Sequence, residues 1–482
     1  MIVLVMRNNT MIPSRFTPSG NVDTKKLAVW LQEPGLSTED YANMPIPETM
    51  SALTLQADDE AIAGSIAPGL RKPSQFLHYR QVLTPEPQAG EVLVAVMAAG
   101  INYNNVWSSV YQPGSPFMYL RQYAALHRRN RRHLQPFMIL GSDASGIVLR
   151  VGPDVENCKP GDAVCINTAV VDEHAPETHH DVELSTSVRA WGFETNYGAF
   201  AEMTLVRATQ IMPKPTHLSW EEAASLPLVN GTVYRMLVSG NGAQLRAGEN
   251  ILIWGAAGGL GLIACQYAKL CGATPVAVVS RAERAEVLRR IGVEHVIDRH
   301  AQKIDLWKDN QPNERAMLKM RRNIRKSLEG NALDVVFEHP GMETFWASVA
   351  LPGNGARIVT CGSTTGYQHQ YDNRRLWMQV KSVIGCHGAN YYEACKANML
   401  VCKGRIQPVL TCTAPLAAGM GLIDRLHANE HTGKFGLLCL TPETGKGITA
   451  PERREEYGTD KFLAALGAEN AASASVVDNA TE

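Results

Sequence analysis

NILIWGAAGGLGLIACQYAKL, residues 250–270, decides the fold. An apolar run, NILIW, leads into the glycine-rich GAAGGLG (255–261), and a helix-forming segment follows to Cys271. Strand, glycine turn and helix in that order let backbone amides approach a pyrophosphate at a helix N-terminus. A glycine triplet alone marks only a tight turn, and the flanking strand and helix are what give this one its meaning. Gly255, Ala257, Gly258, Gly259, Leu260 and Gly261 are therefore expected to cradle a dinucleotide. The next strand, TPVAVVS, ends at Ser280, about 20 residues past the loop, where an acidic residue would take a ribose 2′-hydroxyl. Ser280 and Arg281 stand there instead, with Arg284 one turn on. A hydroxyl beside guanidinium groups suits a 2′-phosphate, so NADPH is the expected cofactor, although both arginines could simply be solvated at a helix start.

The same alternation continues outward. HVID (295–298), LDVVFEHPG (333–341) and ARIVTCG (356–362) are further strands separated by helical segments, the pattern of a doubly wound parallel sheet. Upstream, EVLVAVMAAGI (91–101) suits a buried strand, and GSDASGIVLRVGPDV (141–155) with PGDAV (160–164) alternates glycine turns with Val and Ile like a compact β-barrel. The period changes after Leu218, where Ser219 to Glu222 forms a capping box. The expected organisation is a loosely ordered lead-in over 1–45 and a barrel-like catalytic domain over 46–225 with a return over 376–465. A Rossmann domain over 226–375 and a disordered tail over 466–482 complete it.

With 46 Lys plus Arg against 47 Asp plus Glu, the net charge of -1 offers no global field for nucleic acid or an anionic membrane. No apolar run approaches the roughly 18 residues of a spanning helix, and the first residues lack the basic flank of a signal peptide. Ten cysteines without a CxxC pair read as reduced thiols, so a cytoplasmic protein with neither membrane nor nucleic-acid partner is expected. The loop 166–190 holds His174, His179, His180, Asp181 and Glu183 but lacks metal-site cysteine spacing. It reads as a solvated polar insertion, with no metal expected. The basic stretch LHRRNRRHLQ (126–135) reads as a solvated helix or subunit contact.

GSDASGIV, VGPDV…KPGDAV, GAFAEM and GAAGGLG together resemble the zinc-free branch of the medium-chain dehydrogenase/reductase superfamily. Within it, GINYNNVW (100–107), WGFETNYG (191–198), FEHPGMETF (337–345), YDNRRLWM (371–378) and CHGANYYEA (386–394) resemble the crotonyl-CoA carboxylase/reductases. That resemblance runs from about residue 41 to about 450. It implies an α/β fold: a GroES-like β-barrel catalytic domain joined to a doubly wound Rossmann domain, in a homo-oligomer, tetramer or dimer. It further implies that NADPH delivers hydride to the β-carbon of a 2-enoyl-CoA and that the resulting enolate takes CO2, giving an alkylmalonyl-CoA. By motif, Asn104 and His387 would donate to CO2, Phe193 would shield the enolate, and Glu194 would fix a water or His387. Asn230 and His339 would join the cofactor set, and Arg374 would meet CoA phosphates, with Arg375 replacing a family tyrosine beside it.

Two positions depart from the short-chain members. Ala190 stands where they carry isoleucine, and Gly388 where they carry phenylalanine. Two large-to-small changes in one pocket leave a cavity that is costly unless occupied. The expected occupant is a medium-chain or branched acyl group, and the product would then be a polyketide extender unit; repacking by neighbours is the alternative. Two rival functions remain: reduction of enoyl thioesters or quinones without CO2, and a non-catalytic cofactor- and nucleic-acid-binding role.

Overall fold

The computed structural model describes residues 15–16 and 22–467. Its six-stranded sheet is wholly parallel. Reading across it, the strands are His295–Asp298, Thr274–Val279, Asn250–Ile253, Val335–Glu338, Arg357–Thr360 and Ser382–Gly385. Alternate side chains of each strand enter different cores, as the two-residue strand period requires. Ile251, Ile253, Ala277, Val279 and Phe337 pack with the helices Gly259–Leu270 and Pro227–Leu237. Leu252, Trp254, Val276 and Val336 pack on the other face with Met317, Met320 and Ile324 of the helix Glu314–Ser327. Chain order reverses between Asn250–Ile253 and Val335–Glu338, so a crevice opens at their carboxyl ends.

The second unit is a seven-stranded sheet built on Glu91–Ile101, buried along its whole length. This strand pairs antiparallel with Ala144–Val151, Met203–Arg207 and Lys434–Leu438. The last pairing brings a late segment of the chain back to the barrel, with Leu438 opposite Ala98. The expected return at 376 is corrected: Ser382–Gly385 is the edge strand of the parallel sheet, and the next strand, Leu410–Pro415, is the first to rejoin the barrel. Glycine-containing VIGCHG is too short for its periodicity to reveal which sheet it joins.

The lead-in is also corrected. Thr24–Trp30 and Thr38–Asn43 are helices, the first capped by Asp23 and the second by a reciprocal Ser37–Asp40 box. Leu27, Leu31 and Met44 are buried with Leu93 and Leu149 of the barrel, and Arg150 donates to the carbonyls of Tyr41 and Met44. Helices this short carry little periodic signal; packing makes them. Residues 1–14, 17–21 and 468–482, including most of the expected tail, lie outside the described residues. The basic stretch forms a short helix, Arg128–His133, in which Arg132 pairs with the buried Glu91 at 2.7 Å while Arg128, Arg129 and Arg131 are exposed. No helix among the described residues is long and apolar enough to cross a membrane.

Candidate active site

A cleft of about 570 Å³ opens where the barrel meets the crevice of the parallel sheet. Its cofactor side is the glycine loop. Gly255 has φ +54, and a Cβ there would meet the His339 ring at 2.8 Å. A Cβ on Gly261 would meet the Gly255 carbonyl at 2.4 Å, so glycine lets helix and strand pack closely. Gly258 caps Gly259–Leu270 without any side-chain hydrogen bond, and the first turn holds no acid. The start of this helix thus lines the cleft at Gly259 and Leu260 without a side-chain cap among the described residues, which fits a pyrophosphate. Gly255, Ala257, Gly258, Gly259, Leu260, Ser280, Arg284 and His339 line the cleft. With Ser280 and Arg284 and no acid at the end of the second strand, these residues fit a 2′-phosphate.

Three expected cofactor residues are not among those lining the cleft. Arg281 starts the helix Ala282–Arg290 and is not among the lining residues. Gly261 serves packing. Asn230 is buried in Pro227–Leu237 and accepts a 2.8 Å hydrogen bond from the Tyr267 hydroxyl, away from the cleft. A turn that the sequence did not single out closes over the loop: the Gly433 amide donates to the Ala257 carbonyl at 2.8 Å, and Arg284 donates to the carbonyls of Asn429 and His431. Burial holds His339 and His431 down at about 4, so both are neutral at physiological pH.

The opposite wall comes from the barrel. Asn104 sits in the first turn of Tyr103–Ser109, a helix fixed by the 2.8 Å bond from the Asn102 amide to Asn105 Oδ1. Its Nδ2 donates to Ser142 Oγ at 2.8 Å, and its Oδ1 is buried without a partner among the described residues. Turned over, the carboxamide would accept from the Ser142 hydroxyl and offer its NH2 instead. Phe193 lines the cleft 5.8 Å from the Tyr119 ring centroid. Glu194 does not line it; its carboxylate accepts the Ala190 amide at 2.8 Å and ties off the turn that carries Phe193. Ala190, His387 and Gly388 line the cleft together.

His387 is where the expectation for the loop 166–190 needs correcting. Glu183 is not solvated: its side chain is 3% exposed and Oε2 lies 3.1 Å from His387 Nδ1. The turn Val182–Leu184 is pinned from inside by Asp181, which Arg235 holds at 2.6 Å. Polar composition hid this, because buried ion pairs have the same composition as solvated ones. Lys434 was likewise unforeseen. It lies on the cleft wall, with Nζ 3.1 Å from the buried Asp143 carboxylate and bonded to Asn102 Oδ1. Burial pushes the Asp143 carboxyl up and the Lys434 ammonium down, each opposed by the other's charge.

Arg374 is outside the cleft, its guanidinium forked onto Asp372 at 3.0 Å and its side chain 77% exposed. Arg375 pairs with Glu314 at 2.8 Å and more loosely with Asp372 at 3.8 Å. Among the described residues no three His, Cys, Asp or Glu come together as a metal ion needs, so the site does not fit the zinc suggested by one matching family description.

That description, "Zinc-binding dehydrogenase", matches residues 259–401, and "Alcohol dehydrogenase GroES-like domain" matches residues 88–216. A crotonyl-CoA reductase of Streptomyces collinus is 45% identical over 429 residues, covering 89% of this chain and 96% of the relative. A crotonyl-CoA carboxylase/reductase of Cereibacter sphaeroides is 38% identical over 383 residues, 78% of this chain and 86% of that one. The solved 2-octenoyl-CoA carboxylase reductase CinF, in complex with NADP and 2-octenoyl-CoA, superposes with a TM-score of 0.85 at 42% identity. It covers 93% of this chain and 99% of its own. With the glycine loop, the phosphate-suited second strand and the shared two-unit architecture, this chain belongs to the crotonyl-CoA carboxylase/reductases, NADP-dependent oxidoreductases of the medium-chain dehydrogenase/reductase superfamily.

Proposed function

We propose that this enzyme reductively carboxylates a 2-enoyl-CoA to an alkylmalonyl-CoA, with a medium or branched acyl chain preferred over crotonyl-CoA. The observation that carries the reading is that Asn104, Phe193 and His387 line one cleft together with Ala190, Gly388 and the glycine loop. NADPH, when bound, supplies the hydride. The chain's own residues have three tasks. Asn104 and His387 hold CO2, which being neutral and linear offers only weak hydrogen bonds, each worth about 0.5–1.5 kcal/mol net. Phe193, with Tyr119 behind it, keeps water from protonating the substrate enolate before CO2 is taken. Glu194 acts on the site through the Phe193 turn.

Ala190 and Gly388 leave room for the acyl chain, and each extra buried methylene contributes about 0.8 kcal/mol, so four would supply about 3 kcal/mol of selectivity. Arg374, exposed and facing solvent, is available to CoA phosphates beyond the cleft. We further infer a cytoplasmic homo-oligomer, dimer or tetramer, whose product serves as a polyketide extender unit. The deciding experiment follows NADPH oxidation with 2-octenoyl-CoA and crotonyl-CoA, with and without bicarbonate and carbonic anhydrase, and weighs the products by mass spectrometry. Faster turnover with bicarbonate and a product heavier by one CO2 are expected, with octenoyl-CoA the better substrate. NADPH consumption unaffected by CO2, with only saturated acyl-CoA formed, would mean a plain reductase and overturn the assignment.

A further inference from the structure

Glu183 is a buried carboxylate in an unusual position. The turn Val182–Leu184 is held from below by a buried network: Arg235 bonds Asp181 and also Glu393 at 2.9 Å, while Asn241 and Asn390 donate to Asp181 at 2.7 and 3.1 Å. Asp181 in turn accepts the Glu183 amide at 3.2 Å. The backbone beneath Glu183 is therefore fixed, and its carboxylate, 3% exposed, lies against His387. Among the described residues no Lys or Arg pairs with it; His387 Nδ1 is its ion-pair partner. A buried carboxylate needs a counter-charge. His387 can provide one, because its side chain is 67% accessible within the cleft and its far edge remains open.

The tautomer matters for chemistry. A neutral imidazole with its proton on Nδ1 presents a lone pair at Nε2, which would repel the oxygens of CO2 or a carboxylate product. The imidazolium carries both protons: Nδ1–H goes to Glu183 and Nε2–H is left as a donor in the cleft. We propose that Glu183 is the positioning residue that fixes the His387 ring through Nδ1 and keeps it cationic, so that Nε2–H points a permanent donor into the cleft. The charged groups facing His387 favour this: Glu183 and Glu194 against Arg235, whose own charge is shared between Asp181 and Glu393. The Glu183 hydrogen bond, opposed by burial, raises His387 above the ordinary histidine range.

The proposal rests on His387 serving the CO2 site, and two readouts separate the two claims. The first is the titration of His387 Cε1 in 13C-histidine-labelled enzyme, assigned by its loss in His387→Asn. Glu183→Gln should lower the midpoint by a pH unit or more, and Glu183→Asp should keep it raised. The second is the ratio of carboxylated to reduced product. Being raised, the His387 pKa implies a ratio that is constant at low pH and falls as pH rises through the midpoint. Glu183→Gln should lower that ratio at least tenfold at pH 7.5 and change nothing further in the His387→Asn background. Should Glu183→Gln not fold, Glu183→Met, neutral and content to be buried, takes its place. An unmoved midpoint in the folded neutral variant would overturn the role of Glu183. A wild type that yields no carboxylated product would overturn the carboxylase reading, with the titration still deciding Glu183.

Discussion

At the scale of single residues, Ala190 and Gly388 both touch the cleft but are not equivalent. Gly388 sits at φ +52, in the left-handed region, so a phenylalanine there adds backbone strain of about 1–2 kcal/mol to its bulk. Losses would then fall on every substrate, so Gly388→Phe is not expected to discriminate by chain length. Ala190 has no such constraint: it is a strand residue opposite Ala169, fixed by its amide to Glu194. Ala190→Ile is expected to lower kcat/KM for 2-octenoyl-CoA relative to crotonyl-CoA about tenfold, the equivalent of roughly two methylenes lost from the pocket. Ser280 governs the cofactor end. Placing a carboxylate there opposes a 2′-phosphate and offers an acceptor to a 2′-hydroxyl. Ser280→Asp should therefore reduce the NADPH-to-NADH ratio of kcat/KM at least a hundredfold, read by steady-state kinetics with each nucleotide.

Among the elements, the turn Val182–Leu184 and the helices Pro227–Leu237 and Tyr391–Cys402 act as one body because Arg235 bridges Asp181 and Glu393. All three side chains are at most 6% exposed. Removing the guanidinium leaves two buried carboxylates without a counter-charge, which costs about 3–5 kcal/mol. Arg235→Leu should lower the stability measured by urea unfolding by that amount, and a loss below 1 kcal/mol would show that the network is exposed in solution. The sequence shows each of these helices by its caps: Pro227 at the first turn and the Asn390–Glu393 box. It does not show that the loop 166–190 docks on them, because nothing local to that loop distinguishes a docked turn from a solvated one.

For the whole molecule, the cofactor cleft is walled by both units, and the turn at 429–433 ties the barrel strand Lys434–Leu438 to the glycine loop through Gly433 and to the helix Ala282–Arg290 through Arg284. A ligand seated between them should stabilise both together. NADPH at 100 times its Kd is expected to add about 2.7 kcal/mol to unfolding in a single shared transition, and removing it should restore the lower melting point. Two transitions, of which only one moves with NADPH, would show that the units are not coupled by the cleft. The sequence by itself determined what lies in local order: the strand–glycine–helix signature at 250–270, the strands alternating with helices after it, and the Ser280–Arg284 replacement of an acid. These depend on periods of two and 3.6 residues and on spacings of tens of residues, which a linear reading can measure. Long motif strings carried the family and placed Asn104, Phe193 and His387 in one site. Only the tertiary structure decided the partners. Glu183 and His387 are 204 residues apart, and Asp143 and Lys434 are 291 apart. Charge pairing across such distances follows from where the folded backbone delivers each side chain, and no local pattern encodes it.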